Sequence, residues 1–276
     1  MTDVPSPPPS PGVVRRVIEG QGRSAISFVR HAGAALILTK RAVVAVFTTR
    51  FEPRPFIYQV EQLGVKSLGI AAATAIFVGI VMAIQFANSL QRYGAVDSVG
   101  RIVGLSMVRE LAPSLTSLVV GSRIAAGIAA ELGSMAVTEQ IDAIRALGAD
   151  PVRKLVVPRV LAGMVVMPLM TCFALVLGIG SAMVVCRLNF GISMPFFYAS
   201  ARDTIDLADF LSGIGKTPVF GYIITILGCH FGMITRGGTE GVGRSTTTAV
   251  VVVSVGILVA NALLTQLFLS VMSQFA

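Results

Sequence analysis

Long runs without a charged residue constrain this chain more than any other feature. A helix rises about 1.5 Å per residue, so about 20 apolar residues cross a hydrocarbon core of about 30 Å. Four runs reach that length, and they cover residues 67–91, 160–186, 217–235 and 248–272. The sequence therefore predicts at least four transmembrane helices.

Composition agrees with a membrane location. Hydrophobic residues make up 54% of the chain and charged residues only 13%, whereas a soluble domain carries about 25% charged residues. This excludes an ordinary soluble enzyme. The net charge is +8, and in a membrane protein the positions of the basic residues along the chain indicate its orientation. We therefore expect no nucleic-acid partner.

A further apolar stretch holds charged residues within it. Between Glu110 and Arg123 only 12 uncharged residues remain, about 18 Å of helix, which is too short to cross the core. A span over 102–122 must therefore submerge Arg109 and Glu110, while Arg123 reaches one surface. With this span the predicted fold is an all-α integral membrane protein with five transmembrane helices.

The Arg109 and Glu110 pair is the strongest functional signal that the residues themselves provide. A charge inside a membrane costs several kcal/mol, so it usually faces a bundle interior or a wet cavity and marks a substrate path. Neighbours on a helix point about 100° apart, so these two do not simply pair with each other. Two interpretations stay open, a substrate path and an interhelical clamp with no substrate role.

Basic residues predict the orientation. If the N-terminus is cytoplasmic, 16 Lys and Arg residues fall on the cytoplasmic side and six on the other. Cytoplasmic segments of membrane proteins carry the excess of Lys and Arg. The N-terminus is therefore expected in the cytoplasm and the C-terminus, after five spans, in the periplasm.

Three segments outside the spans have distinct compositions. Residues 1–12 read as a disordered Pro-rich tail, and residues 13–54 as an amphipathic interfacial helix region whose basic residues meet anionic headgroups. A small cytosolic helical cap is the alternative for 13–54. Between spans three and four, residues 188–216 predict a short periplasmic helix.

Catalytic and metal-binding patterns are scarce. The histidines are His31 and His230, and the span around His230 holds no carboxylate, so a Ser-His-Asp site is not indicated. The GIGKTP sequence at 213–218 has Phe210 where a P-loop needs its leading glycine. We expect no catalytic residue, no metal site and no cofactor in this chain. The cysteines read as core residues, and they are Cys172, Cys186 and Cys229.

The stretch 131–148 is too charged to span and too apolar for a solvated loop. Ile141, Ile144 and Leu147 follow helical spacing opposite a polar face. A short amphipathic helix between two spans is suited to dock into a groove on a partner protein. The alternative is a plain connector packed on its own chain. The polar positions predicted to face the partner are Glu131, Glu139, Gln140, Asp142 and Arg145.

The same residues carry a family resemblance. DAIRALG at 142–148 resembles the EAA---G element of ABC-importer permeases, with Asp in place of Glu. The run from Phe77 to Pro168, with AELGSMAVTEQIDA at its centre, and RGGTEGVGRSTTTAVV at 236–251 resemble the MlaE/YrbE family of lipid-transport permeases. The likeness covers about 55–275, so residues 55–276 are taken as the permease domain. AELG and EQIDA look closer to the phospholipid-trafficking branch than to actinobacterial Mce-associated members.

The resemblance implies the membrane subunit of an ABC transporter in the bacterial inner membrane. Such a permease forms a homodimer, binds two cytosolic ATPase subunits that hold the ATP, and meets a periplasmic ring of MCE-domain proteins. A STAS-type accessory subunit on the ATPase is a further implied partner. The implied activity is movement of phospholipids between the inner membrane and the MCE carrier, which helps maintain the lipid asymmetry of the outer membrane.

By this likeness, four residues match positions of an outward-open lipid cavity, and they are Gln85, Tyr93, Arg109 and Glu110. Residues 131–148 would be the helix that couples the permease to the ATPase. Two competing hypotheses come from other classes. One is an autonomous ion-coupled transporter or channel with Arg109 and Glu110 as its relay, and the other is a scaffold that anchors lipid-binding proteins without transport.

Overall fold

Helices account for nearly all of the described chain. The computed structural model describes Arg30, residues 33–46 and residues 52–275, with side chains through Ser270. The helices are α1 (33–46), α2 (Pro53–Leu63), α3 (Leu68–Gln91), α4 (Val99–Ser106), α5 (Ala112–Val137), α6 (Gln140–Ala146), α7 (Val157–Phe190), α8 (Met194–Arg202), α9 (Leu207–Met233) and α10 (Gly238–Phe275). Two π-helical turns, Met107–Leu111 and Val152–Val156, lead into α5 and α7.

Five helical segments in the described ranges are long and apolar enough to cross a membrane, which confirms the predicted five-span all-α fold. They are Pro53–Gln91, Val96–Val137, Val152–Phe190, Leu207–Met233 and Gly238–Ser270. All five exceed the predicted lengths, because helical geometry continues past the apolar runs. We name the two ends of the bundle the α6 side and the α8 side after the short helices that lie there.

The helix predicted over 131–148 is wrong as a single element. Helix α5 continues to Val137, and the chain then turns at Thr138 and Glu139 before α6 begins. Glu139 has a left-handed φ of 60°, which interrupts an α-helix. Both the backbone N–H and the hydroxyl of Thr138 donate to the Ser134 carbonyl, at 3.0 and 2.9 Å, and so close the last turn of α5.

The fourth span begins earlier than the sequence indicated. Its helix α9 starts at Leu207, ten residues before the predicted Thr217. A capping box explains the start, since Asp206 and Asp209 each bind the other's backbone N–H through the side chain. Lys216 therefore lies within the spanning helix, while α8 supplies the short helix predicted between spans three and four.

The predicted Pro-rich tail at 1–12 lies outside the described residues, as does most of 13–54. Within 33–46, α1 buries Ala35, Ala42 and Ala45 on one face and exposes Leu36 and basic residues on the other. The small alanine face packs on the bundle, where Ala42 joins the larger core cluster. Its interfacial setting stays a prediction.

Close helix contacts depend on small residues. Helix α7 meets α9 where Gly163 faces Gly221, and a Cβ at Gly221 would overlap the Gly163 carbonyl oxygen. Helix α3 meets α7 in the same way, since a Cβ at Gly79 would overlap the Gly178 carbonyl oxygen. Spanning helices associate through such close packing because lipid is as apolar as their own side chains. These contacts set the depth at which charged residues from different helices meet.

Candidate functional site

The site begins at a wide turn in the second span. Met107–Leu111 forms one π-helical turn, in which the Ala112 N–H bonds the Met107 carbonyl. Pro113 follows, and because it has no N–H it leaves the carbonyl four residues earlier, that of Arg109, without an α-helical partner. The turn thus presents two charged side chains and one free carbonyl at the same level.

Glu110 accepts three hydrogen bonds from two other helices. Its Oε1 lies 2.7 Å from Lys216 Nζ on α9 and 2.9 Å from Thr265 Oγ1 on α10. Its Oε2 lies 3.0 Å from Asn261 Nδ2, also on α10. One carboxylate therefore joins the second, fourth and fifth spans.

Lys216 is the buried centre of this network. It lies nine residues after Leu207, about 14 Å along α9, and its side chain is only 2% exposed. Besides Glu110, its Nζ donates to Thr265 Oγ1 at 2.8 Å and to the Arg109 carbonyl at 3.2 Å. An ammonium has three donors, so all three are used and the carbonyl left free by Pro113 is satisfied.

Arg109 pairs with the start of α9. Its Nε and Nη2 reach Asp209 Oδ1 at 2.7 and 2.5 Å. Asp209 is buried, and its other oxygen accepts the Asp206 N–H at 3.3 Å. The geometry is that of an interhelical clamp, yet the side chains of Arg109 and Glu110 remain 38% and 37% exposed. Both charges are thus held by protein and still reachable from outside the bundle.

The network contains residues that the sequence analysis did not single out. Lys216 was assigned to the flank of a span, and Asp209 to an outer segment. Their spacing of seven residues puts both on one face of a helix, which is a signal that could have found them. Asn261 and Thr265 are polar residues four apart on α10, and they meet Glu110 for the same reason.

Gln85 and Tyr93 are placed differently. Gln85 lies on the exposed surface of α3, and Tyr93 lies just beyond the end of that helix with 83% of its surface exposed. Within the described residues, neither joins the network around Lys216. Nearby on the α8 side is a cavity of about 650 Å³ lined by Ile84, Asn88, Gln91, Val96, Asp97, Asn189, Phe190, Gly191 and Ile192.

A polar stripe runs along the exposed surface of α5 at helical spacing. It consists of Arg123, Gly127, Glu131 and Ser134, and we refer to it as the α5 stripe. Arg123 Nη1 donates to Ser67 Oγ at 2.7 Å, at the start of α3. Glu131 pairs with Arg159 of α7 at 2.7 Å, so the structure separates it from α6, where the other predicted coupling residues lie.

Those remaining coupling residues form one exposed surface on the α6 side. Glu139 precedes α6, Gln140 begins it, and Asp142 accepts a 2.7 Å hydrogen bond from Arg145. Ile141 is buried and anchors the helix, as its predicted apolar face requires. Leu147 is 86% exposed despite being apolar. We call the exposed set of Glu139, Gln140, Asp142, Arg145 and Leu147 the α6 surface.

Among the described residues, no cluster of three or more His, Cys, Asp and Glu side chains could hold a metal ion. His230 is buried in α9 beside Phe231, with the two rings in a T-shaped arrangement 5.2 Å apart. This position agrees with a histidine packed between helices.

Comparison with known proteins identifies the family. The model of the family described as Permease MlaE matches residues 56–267. This chain belongs to the MlaE permease family. A probable ABC transporter permease protein of Synechocystis is 40% identical over 234 residues, covering 85% of this chain and 89% of that protein. A probable ABC transporter permease protein of Rickettsia typhi is 36% identical, covering 91% of this chain and 96% of the relative.

A plant relative extends the family to chloroplasts. The chloroplastic protein TRIGALACTOSYLDIACYLGLYCEROL 1 of Arabidopsis thaliana is 38% identical over 232 residues, covering 84% of this chain and 66% of that protein. Together with the five apolar helices, these matches show that this chain is a multi-pass membrane protein and a transporter subunit rather than an enzyme. Membership of an ABC permease family implies that ATPase subunits are its partners.

Proposed function

We propose that this permease moves phospholipids between the bacterial inner membrane and a periplasmic MCE-domain carrier, driven by a separate cytosolic ATPase. In this role it helps maintain the lipid asymmetry of the outer membrane. The observation that carries the proposal is the pair of half-exposed charges, Arg109 and Glu110, fixed inside a spanning segment by Asp209 and Lys216. Spanning helices keep accessible charges where a polar cargo passes.

A phospholipid matches the chemistry of this site. Its headgroup carries a phosphate and commonly an amine, and Arg109 and Glu110 offer one charge of each sign. Exposed apolar residues on the spanning helices suit acyl chains, and they include Phe77 and Val81 on α3 and Val255 and Leu258 on α10. Gln85 and Tyr93 are proposed to contact the headgroup nearer the α8 side. The name of the Arabidopsis relative refers to a diacylglycerol lipid, which supports a lipid cargo.

The α5 stripe supports a homodimer. Arg123 lies on the exposed face of a spanning helix at the end of its apolar part, where contact with lipid tails would cost several kcal/mol, and Glu131 lies on the same face nearer the α6 side. A second copy of the chain would cover this face, and Gly127 at its centre would allow the two backbones to approach closely. The lipid cavity is then proposed to lie between the two copies.

The α6 surface is proposed to seat the ATPase. It is exposed, it combines charges with the apolar Leu147, and the anchor Ile141 ties it to the bundle. The bias of basic residues supports a cytoplasmic α6 side, a cytoplasmic N-terminus and a periplasmic C-terminus. The MCE ring would then meet the α8 side, and a STAS-type subunit would bind the ATPase. ATP would be held by the partner, with no cofactor in this chain.

A second candidate function is an autonomous ion-coupled transporter or channel. It is favoured by the four ionisable side chains of Asp209, Arg109, Glu110 and Lys216, which form two adjoining pairs inside the membrane. Such groups can relay ions or protons. This alternative needs no ATPase.

Copurification and reconstitution test the proposal. The tagged chain is isolated from membranes, its partners and bound lipids are identified by mass spectrometry, and lipid transfer to a periplasmic acceptor is followed in proteoliposomes. We expect an ATPase partner, bound phospholipid and ATP-dependent transfer that Glu110→Gln reduces and the exposed control Arg244→Gln, outside the α6 surface and α8, leaves intact. Isolation as a lone chain without lipid would refute it. Transport by the chain alone under a pH or sodium gradient would establish the alternative.

A further inference from the structure

Two turns in the long helical segments have the same local structure. Met107–Leu111 and Val152–Val156 are both five-residue π-helical turns, and a single residue separates each from a proline, Pro113 or Pro158. In each turn a backbone N–H reaches five residues back, from Ala112 in the first. Wide turns and prolines are the commonest causes of bends in helices, and wide turns occur frequently at functional sites.

A buried cation binds the backbone of each turn. Lys216 Nζ donates to the Arg109 carbonyl at 3.2 Å in the first, and Arg159 Nη1 donates to the Leu155 carbonyl at 2.6 Å in the second. The two cationic side chains are 2% and 4% exposed. Pro113 leaves the Arg109 carbonyl out of the helical ladder, and inside a membrane such a carbonyl needs another donor, which Lys216 supplies. In the second turn Arg159 adds a side-chain donor to the carbonyl four residues before it.

The same two cations also bind glutamates on one continuous helical segment, Val96–Val137. Lys216 lies 2.7 Å from Glu110, and Arg159 lies 2.7 Å from Glu131. The glutamates are 21 residues apart, about 32 Å along a helix, so the two ion pairs sit near opposite ends of the bundle. Both carboxylates are more than a third exposed, whereas both cations are buried. On the surface of the single chain, each pair is therefore exposed only through its carboxylate.

We propose that the two wide turns are a matched pair of hinges, each held in its present shape by a cation that binds a turn carbonyl and a glutamate at once. Drawing the glutamate away would weaken the hold on the carbonyl and release the turn. A π turn contains one residue more than an α turn, so its conversion to regular helix would rotate the flanking segments by about 100° relative to each other. Lys216 and Arg159 are positioning residues in this arrangement.

The two hinges differ in which helices they hold together. We call Met107–Leu111 the outer hinge and Val152–Val156 the inner hinge. Lys216 comes from α9, so the outer hinge joins α9 to the second span. Arg159 belongs to α7 itself and follows its own turn, so the inner hinge joins α7 to the end of the second span nearest α6. The buried Arg159 Nε has no hydrogen-bond partner, which leaves this guanidinium a spare donor for another arrangement. This inference goes beyond the transport proposal, because it holds for any cargo.

Spin-label distances in the full chain, reconstituted in lipid nanodiscs, test the hinges. The native cysteines are first replaced by alanine, and label pairs are attached at exposed positions. Labels at 147 and 188 flank the inner hinge, and labels at 101 and 138 flank the outer one. Glu131→Gln weakens the inner hold and Glu110→Gln the outer. Asp142→Asn is the matched carboxylate-to-amide control in an exposed ion pair.

We expect each glutamate variant to change only the distance across its own hinge. Glu131→Gln should add a second population to the 147–188 distance and leave the 101–138 distance unchanged, and Glu110→Gln should do the converse. Asp142→Asn should alter neither distance. The proposal is overturned if both distances stay single in both glutamate variants. It is equally overturned if each variant broadens both distances together and lowers the thermal unfolding temperature, because the ion pairs would then only stabilise the fold.

Discussion

Lys216 on α9 binds Glu110 of the second span at 2.7 Å, although 106 residues separate them in the chain. The contact neutralises a carboxylate inside the membrane and satisfies the Arg109 carbonyl that Pro113 leaves free. One side chain therefore both neutralises the charge and supplies the missing backbone hydrogen bond of a wide turn in a spanning helix. Its position explains how a segment with two adjacent charges can be stable in lipid.

Lys216→Met should destabilise the protein by about 3 kcal/mol, because it leaves Glu110 without its cation. The figure is at the lower end for a broken ion pair, since the Glu110 side chain is 37% exposed. Unfolding in mixed detergent micelles measures the change. Arg202→Met, at an exposed residue of α8, should stay within about 0.5 kcal/mol of the wild type.

The double variant Lys216→Met with Glu110→Gln should lose less stability than the sum of the two single variants, because the lone charge is removed together with its partner. Strict additivity in this double-mutant cycle would contradict the ion pair as the source of the effect.

Gly221→Ala should destabilise the protein by about 2 kcal/mol or more, because the added methyl would overlap the Gly163 carbonyl and force α7 and α9 apart. Gly180→Ala is the matched control in α7, where a Cβ meets open space. It should be neutral or add about 0.5–1 kcal/mol through higher helix propensity. Thermal unfolding of both variants in the same detergent distinguishes packing from propensity, and equal effects would refute the close contact.

Thr217→Val should cost about 1–2 kcal/mol although it conserves shape. Pro218 cannot donate to the Ile214 carbonyl, and Thr217 Oγ1 donates to that carbonyl at 2.8 Å instead. Thr246→Val, which removes a comparable bond at the start of α10 beside solvent, should change stability by less than about 0.5 kcal/mol. The quantity to measure is the difference between the unfolding free energies of the Thr217→Val and Thr246→Val variants. If the two variants were equally stable, water would be the hydrogen-bond donor to the Ile214 carbonyl.

Asp142→Lys and Glu139→Lys should uncouple ATP hydrolysis from lipid, while leaving the fold intact, because both residues lie on the exposed α6 surface. Lipid-dependent ATPase activity of the reconstituted complex should fall toward the basal rate. Asp203→Lys, the same charge reversal at an exposed residue on the α8 side, is the control and should keep full stimulation. Unchanged stimulation in the α6 variants would exclude this surface from coupling.

Element type and number follow well from the sequence because they depend on local properties. Four uncharged runs and the charge-containing stretch at 102–122 predicted five spans, and a helix is present at each of them. Helix ends were harder, since they depend on capping side chains. The capping box of Asp206 and Asp209 extends α9 ten residues past its apolar run, and the left-handed Glu139 divides the predicted 131–148 helix.

The sequence predicted only part of the site. Arg109 and Glu110 stood out because a charge within an apolar run is rare. Their partners did not, because Asp209 and Lys216 lie near the end of another run, where charged residues are common and usually face water. Arg159 was counted only among the basic residues of the cytoplasmic side, just before the span predicted to begin at residue 160, yet its side chain is 4% exposed and bound to Glu131.

The sequence by itself determined that the chain spans a membrane five times and that two charges must enter it, because length, hydropathy and charge act through local free energies of transfer. Only the tertiary structure decided what those charges meet. Pairing Arg109 with Asp209, Glu110 with Lys216 and Glu131 with Arg159 requires helices distant in the chain to pack at one register. That register is set by close contacts at glycines such as Gly163 and Gly221, and no local pattern encodes it.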